Sequence, residues 1–209
     1  MGYRHGRGLF LVTPDAAGLT AERTESTHRQ PQLNLTLDGA AAEALGEGGL
    51  ADLHRRALAG LCALAVGVFS QAVRITAGYI SEREQFGKPI ATFQAVQFQL
   101  ADCAVAVAGL RELAAFTLWR LDGDPVAALG DALALRLHAI DVARTVLRAT
   151  QQLHGAAGVC DEYDISVLAR AVQPALRLPW SAERTAAALA ATIATDGFVG
   201  LFPHGAGHR

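Results

Sequence analysis

The chain has 209 residues, of which 51% are hydrophobic and 18% charged, a composition that excludes a disordered segment and fits a well-buried globule. Its net charge is −2 at pH 7 with Lys and Arg scattered, so it lacks the basic footprint of proteins that bind nucleic acid or an anionic membrane. The most apolar stretch, residues 58–69, is too short to cross a bilayer, and the N-terminus lacks the apolar core of a secretory signal.

Cysteine and histidine usage argues against disulfides and metal sites. Cys62, Cys103 and Cys160 are far apart in apolar or mixed surroundings, which predicts buried free thiols and a protein of the reducing cytoplasm. The seven histidines show no paired ligand spacing, so no metal site is predicted.

The first 49 residues show the sequence patterns of a β domain. Residues 8–13 read as a buried strand, and residues 32–37 alternate polar and apolar positions, which is the period of a half-buried strand. Such strands are too few for a stable sheet. We therefore expect residues 1–49 to be part of a β domain that either pairs with polypeptide missing from this chain or lies against the helical part.

Two long helices are predicted next. The first covers residues 50–84, where apolar positions recur with no breaker except scattered glycines. Thr92 is placed to cap the second, whose apolar positions from Phe93 to Leu121 alternate three and four apart and form one continuous stripe. The connection between the two is short, so we expect them to be antiparallel neighbours.

A third long helix has signals at both ends. Asp124 as N-cap and Pro125 at the first helical position predict its start. His154 is its predicted end, and Gly155 stands where a left-handed C-cap residue belongs.

Two shorter helices and a tail complete the chain. One helix is predicted over residues 162–171, and Ser181 caps a last one that ends at residues 196–197, before a flexible tail at 201–209. The predicted fold class is therefore mainly α, an up-down antiparallel helix bundle over residues 50–200 preceded by a short β remnant.

Two ordered motifs at the helix ends carry a family resemblance. Residues 79–90 read Y-I-S-E-R-E-Q-F-G-K-P-I and are followed by F-Q-A-V and L-A-D, while residues 152–158 read Q-L-H-G-A-A-G. They resemble the Y-x-x-x-R-x-Q-F-G-x-x-I … Q-x-x-Q-x-x-L-A-D and Q-x-x-G-G-x-G signatures of the acyl-CoA dehydrogenase family. The resemblance covers residues 50–170, and residues 8–49 are similar to the last part of that family's middle β domain.

The resemblance implies FAD as the cofactor and an acyl-CoA thioester as the substrate. The residue chemistry agrees, because Arg83 offers a planar, permanently charged fork suited to a pyrophosphate, and the Gln94 and Gln152 amides both donate and accept. Gly155 lets a backbone approach a ligand closely. In the family, the Arg and first Gln at these positions reach the cofactor of a neighbouring subunit. The resemblance therefore implies that flavin is bound across a dimer interface by Arg83, Gln85, Phe86, Gln94, Gln152 and Gly155.

Each of these residues also has a purely structural explanation. The Glu-Arg-Glu run at residues 82–84 is typical of a solvated helix end with local ion pairs, and Gly87 of a helix stop. Gln94 fits a surface amide, and Gly155 a simple C-cap. The sequence departs from the family at Ala156, which replaces the second Gly of the motif, and its Cβ would either crowd a cofactor or fill space.

The resemblance also implies a carboxylate base that removes a proton alpha to the thioester carbonyl in a desolvated site, where its pKa is raised. Family members place this Glu on the first long helix, where this chain has Ala57, or in a late Y-E-G-T turn. The late segment here makes Glu183 the candidate base and Thr185 a candidate flavin contact. Arg184 replaces the small Gly and would lower a neighbouring carboxylate's pKa, and an acidic residue suits the first turn of any helix.

Three hypotheses follow. The first is a partial acyl-CoA dehydrogenase that catalyses α,β-dehydrogenation with FAD and needs an N-terminal half whose segments contact the isoalloxazine ring. The second is a non-catalytic structural subunit that completes a partner's flavin site. The third is a helical interaction module without cofactor. We expect a homo-oligomer, dimer or tetramer, or a hetero-oligomer with a chain that supplies the N-terminal half.

Overall fold

A computed structural model describes residues 9–24, 31–46, 49–124 and 128–197. The strands are β1 (Leu9–Leu11), β2 (Leu19–Thr24), β3 (Gln32–Leu37), β4 (Glu43–Gly46), β5 (Glu84–Gln85) and β6 (Lys88–Pro89). The helices are α1 (Gly49–Glu82), α2 (Gln94–Gly123), α3 (Leu129–His154), α4 (Asp164–Ala171), α5 (Gln173–Arg177) and α6 (Ala182–Asp196). Short 3₁₀ turns occupy Ile90–Thr92 and Gly155–Val159.

The three long helices pack against one another and enclose the core. Phe69 of α1 and Val146 of α3 are fully buried there, and each such side chain contributes roughly 1.5–3 kcal/mol of burial free energy. The predicted stripe of α2 faces this core through Cys103, Val107, Leu110, Ala114, Thr117 and Leu121. α5 lies against α1, and α6 against α3. The predicted fold class, a mainly α helix bundle preceded by short strands, is confirmed.

Local end signals were a good guide at some helix ends. The Ser181 hydroxyl accepts a hydrogen bond from the Arg184 backbone N–H at 3.3 Å, and Gly155 closes α3 with a φ of +59°. Thr92 does not cap α2, because its hydroxyl donates to the Pro89 carbonyl at 2.8 Å within a 3₁₀ turn. Pro125 lies outside the described residues, and α3 begins later than predicted, at Leu129.

The N-terminal strands form two separate two-stranded antiparallel sheets, β1 with β4 and β2 with β3. The strand predicted at residues 32–37 is confirmed as β3, the one at 8–13 shortens to β1, and the polar β2 was not predicted. The predicted burial is wrong, because half or more of the side-chain surface is exposed at Phe10, Leu11, Leu33, Leu35 and Leu37. Within the described residues these apolar positions have no covering layer.

By length and composition, one stretch of α1 is long and apolar enough to cross a membrane, which the sequence analysis did not find. The core helix of a water-soluble protein passes the same test, and α1 packs against α2, α3 and α5. The observation is therefore weak evidence for a membrane span.

The cysteines differ in exposure. Cys62 and Cys103 are buried, as predicted, and burial raises the pKa of the Cys62 thiol to about 11. The prediction is wrong for Cys160, which is exposed just after α3. The mixed polarity of its neighbours in sequence could not reveal that this turn lies on the surface.

Candidate functional site

A tight hairpin follows the C-terminal end of α1. β5 and β6 pair through a two-residue turn, Phe86–Gly87, in which both residues have positive φ, 54° and 76°. This is the type I′ pattern, which suits Gly but strains Phe. The Phe86 ring is 93% exposed, so the turn presents an aromatic side chain to whatever covers this end of the bundle.

The C-terminal end of α3 lies beside this hairpin and turns sharply. Position 155 requires glycine only because its φ is positive, since an added Cβ would face open space. Gly158 needs its glycine for a different reason. A Cβ there would overlap the backbone carbonyl of Gln151, so the turn folds tightly back on α3.

Tyr79 and His154 join the two helix ends. The Tyr79 hydroxyl donates to the His154 carbonyl at 3.3 Å, and the two rings stack with centroids 4.3 Å apart and planes 22° apart. The buried His154 ring places Nδ1 2.8 Å from the Thr150 carbonyl, which fixes its orientation. The end of α1 and the end of α3 therefore hold a defined spacing.

A pocket of about 420 Å³ opens between these two helix ends. It gathers four of the predicted cofactor residues, and its lining includes Arg83, Gln85, Gln152 and Gly155. Among the described residues Arg83 has no ion pair, so the local Glu-Arg-Glu pairing considered above is not formed. A free guanidinium and two amides around an open glycine backbone make a suitable site for a nucleotide phosphate.

The remaining predicted cofactor residues lie elsewhere. Phe86 and Gln94 are exposed and do not line this pocket, so a contact from them would need a ligand or chain that extends past it. Thr185 is fully buried, and its hydroxyl donates to the Ser181 carbonyl at 2.8 Å. Its role as a flavin contact stays a prediction.

Glu183 lies in the first turn of α6, on the wall of a second cavity of about 610 Å³. The carboxylate is exposed, and its pKa is lowered chiefly by its own backbone N–H, then by the Ser181 hydroxyl and by the charge of Arg144. A base that works on a carbon acid gains from the opposite shift. Arg144, rather than the adjacent Arg184, is the arginine that lowers this pKa.

A buried arginine positions the segment that leads into α6. Arg136 of α3 is 1% exposed, and its guanidinium donates to the carbonyls of Ala175 and Leu178, the latter at 2.9 Å. It also lies beside the Cys62 sulfur. The end of α5, which leads into α6, is thus attached to the bundle core through a charged group.

Three ring-bearing side chains also line the first pocket without having been assigned a role: Tyr79, His154 and Tyr163. Tyr79 stands four residues before Arg83, which puts both on one face of a helix, so that spacing could have indicated it. The contact between Tyr79 and His154 spans 75 positions, and no local signal reports it.

Residues 41–177 match the family model for the C-terminal domain of acyl-CoA dehydrogenases. The chain belongs to the acyl-CoA dehydrogenase family. The matched region contains both helix ends of the pocket, from Tyr79 to Gly158. The family assignment indicates FAD as the cofactor.

Curated and solved relatives agree with this assignment. Acyl-CoA dehydrogenase FadE28 of Mycobacterium tuberculosis is 33% identical over 155 residues, which are 72% of this chain and 45% of the relative. The Tcur3481–Tcur3483 steroid ACAD superposes with a TM-score of 0.85 at 38% identity, over 90% of this chain and 52% of that chain. The ChsE4–ChsE5 complex of Mycobacterium tuberculosis gives a TM-score of 0.80 at 27% identity, with the same coverage. The chain spans about half the length of these relatives.

Proposed function

We propose that this chain supplies the helical half of an FAD-dependent acyl-CoA dehydrogenase, which carries out α,β-dehydrogenation of an acyl-CoA thioester once the N-terminal half is present. The supporting observation is the pocket that gathers Arg83 and Gln85, which follow α1, with Gln152 and Gly155 from the end of α3. These four residues come from two motifs about 70 positions apart. Their convergence on one pocket is what a ligand-binding site requires.

The residues present fit one end of a flavin dinucleotide. Arg83 has a guanidinium free for a pyrophosphate, Gln152 supplies an amide, and the space beside Gly155 is open to a close backbone contact. Ala156 also lines this pocket, so a ligand would meet its Cβ there in place of the family's second Gly. Bound FAD would supply the hydride acceptor for the dehydrogenation.

Glu183 is the proposed base of this reaction. In the chain alone it is exposed and its pKa is lowered, so it needs a covering surface that removes water before it can take a proton from a carbon acid. The N-terminal half would provide that surface. Thr185, one helical position beyond Arg184, would then act by fixing the first turn of α6 through its bond to Ser181.

A non-catalytic structural subunit is the second candidate function. Two observations favour it: Ala57 occupies the first-helix position of the base, and Glu183 has a pKa shifted away from that of a useful base. In this case Arg83 and Gln152 would complete the flavin site of a partner that carries its own base. We propose assembly with a chain that supplies the N-terminal half, or with further copies of this chain, and two similar structures are named for pairs of chains.

Flavin retention tests the proposal. The purified chain, alone and mixed with the candidate N-terminal half, is incubated with FAD, desalted, and examined by visible absorption and by mass in solution. We expect retained flavin in the assembly, and loss of at least tenfold in affinity for Arg83→Ala, because one charge-assisted pair to a phosphate is worth about 1.5–3 kcal/mol. Arg74→Ala, on the exposed middle of α1, is the matched control.

The same assembly separates the two candidate functions. If Glu183→Gln keeps flavin but abolishes acyl-CoA turnover, the first candidate holds. Unchanged turnover assigns the base to the partner and leaves the structural subunit. A colourless assembly that binds no FAD contradicts both and leaves the helical interaction module.

A further inference from the structure

The cavity beside Glu183 combines an apolar floor with a charged rim. Its volume of about 610 Å³ is that of a small-molecule site. The floor consists of Ile140, Ala143 and Leu147 from the middle of α3, together with Leu176 from α5. Ala143 and Leu147 are buried, and the other two are half-buried. The floor is therefore an aliphatic surface that a flexible hydrocarbon chain could cover.

The wall that α5 contributes is fixed before any ligand arrives. The buried Arg136 guanidinium donates to the Ala175 carbonyl and, at 2.9 Å, to the Leu178 carbonyl. These two hydrogen bonds lie on either side of Leu176 and Arg177, which both line the cavity. Because the wall is already held against α3, a ligand would not have to order it on binding.

The rim has an excess of positive charge. Arg144, Arg177 and Glu183 line it. Arg144 Nη1 lies 2.9 Å from Asp141 Oδ1. The pKa of Glu183 is lowered by its own backbone N–H, by the Ser181 hydroxyl and by the charge of Arg144, so Arg144 faces two carboxylates. Arg177 forms no ion pair in the ranges that the structure describes, which leaves one guanidinium without a counterion.

We propose that this cavity binds an aliphatic monocarboxylate, whose hydrocarbon chain lies on the floor between α3 and α5 and whose carboxylate pairs with Arg177. A guanidinium matches a carboxylate with two parallel N–H donors. A neutral amphiphile would leave Arg177 unpaired, and a cationic one would meet a like charge. The cavity shares no lining residue with the Arg83 pocket, and binding here does not require Glu183 to act as a base.

Titration calorimetry with sodium octanoate tests the proposal. The full chain is used at micromolar concentration, and the amphiphiles are kept below the concentrations at which they form micelles. We expect saturable binding of octanoate at one site. Octylammonium, which has the same hydrocarbon chain and the opposite charge, and acetate, which lacks the chain, should each bind at least tenfold more weakly. Hexanoate should also bind more than tenfold more weakly, since each buried methylene is worth about fourfold in affinity.

Substitutions on the rim should move the octanoate affinity in opposite directions. Arg177→Gln should weaken binding about tenfold or more, because it removes the charge-assisted pair, and Arg177→Lys should retain part of it. Glu183→Gln should tighten binding, because it removes a negative charge from the lining. The matched control is Arg148→Gln, since Arg148 is exposed one turn beyond Arg144 on α3 and does not line the cavity.

A variant of the floor and a stability measurement complete the test. Ile140→Ser should weaken octanoate binding and leave the weak response to acetate unchanged. Urea denaturation shows that each variant is folded, which we expect for Arg177→Gln and Glu183→Gln because both side chains are exposed. Absence of saturable octanoate binding to the folded chain, equal affinities for octanoate and octylammonium, or an unchanged octanoate affinity in Arg177→Gln would each overturn the proposal.

Discussion

The two ends of α1 meet different surroundings, although one continuous helix of 34 residues joins them. At the C-terminal end, Arg83 has no ion pair with any residue that the structure describes, and it lines a pocket whose walls include Tyr79 and His154. At the N-terminal end, Ala57 occupies the place of a family base, and His54 lies beside Trp180. The chain thus keeps the groups that suit a dinucleotide and lacks a strong base where the family has one.

The difference teaches that the proposed cofactor pocket and the candidate base lie in separate parts of this fold. The pocket lies at the ends of α1 and α3, whereas Glu183 lies on a cavity lined by α3, α5 and the start of α6. Substitutions at one end should therefore leave the properties of the other end intact. Four expected outcomes test this separation, from the largest effect to the smallest.

Arg136→Met should have the largest effect, a loss of about 3 kcal/mol in the free energy of unfolding, because the buried Ala175 carbonyl and the partly buried Leu178 carbonyl lose their donor. Urea denaturation measures it. The start of α6 should shift, so Trp180 fluorescence should change while FAD retention at the Arg83 pocket is preserved. Arg148→Met, on the exposed face of α3, is the control. A loss below 1 kcal/mol would show that Arg136 is not what holds this segment.

Gly158→Ala should cost about 2 kcal/mol, since the new Cβ overlaps the Gln151 carbonyl and the turn after α3 must open. FAD retention should fall with it, because Gln152 and Gly155 move. Gly130→Ala is matched to it, since a Cβ there meets Thr192 Cγ2 at an ordinary 3.7 Å. Equal stability of the two variants would contradict the tight turn.

Tyr79→Phe should cost about 1 kcal/mol, the usual value of one hydrogen bond, because the ring stack on His154 remains. Chemical denaturation gives the difference. Tyr163→Phe removes a hydroxyl from the same pocket and should change stability less. If Tyr79→Phe and Tyr163→Phe lower the free energy of unfolding equally, the Tyr79 hydroxyl does not set the spacing of the helix ends.

His54→Gln should have the smallest effect, and one that depends on pH. The folded-state pKa of His54 lies below its ordinary value of 6.5, so the unfolded chain binds more protons between the two values. The free energy of unfolding should therefore fall as the pH drops through 6.5 towards the folded-state pKa, and His54→Gln should flatten that slope. His138→Gln, at an exposed site on α3, is the control. An unchanged slope in His54→Gln would contradict the lowering of the His54 pKa by burial and by the charges of Arg184 and Arg55.

The sequence predicted what local patterns encode. The stripe of α2, the cap at Ser181 and the glycine at Gly155 each depend on a few neighbouring residues, and each is confirmed. The prediction of Thr92 as a cap was wrong because the Thr92 hydroxyl bonds within a 3₁₀ turn that precedes α2. The identity of one side chain does not reveal such a turn.

Contacts between distant positions were beyond the sequence. Tyr79 and His154 are 75 positions apart in sequence, and His54 and Trp180 are further apart still. Neither contact therefore leaves a local signal in the sequence. The family motifs named the candidate cofactor residues, and the structure shows that four of them line one pocket. The prediction that the strands are buried was wrong. Alternation of polar and apolar residues indicates which side chains share a face of a strand, and not whether anything covers that face.

The leucines of β3 have a practical consequence for anyone who handles the chain. Leu33, Leu35 and Leu37 point outward from one face of a two-stranded ribbon whose outer backbone edges are unpaired within the described residues. A strand of this kind is a template for further strands, so the chain expressed alone should form soluble aggregates as its concentration rises. Co-expression with the N-terminal half proposed above, or a Leu35→Lys substitution that breaks the row, should give a single species in solution.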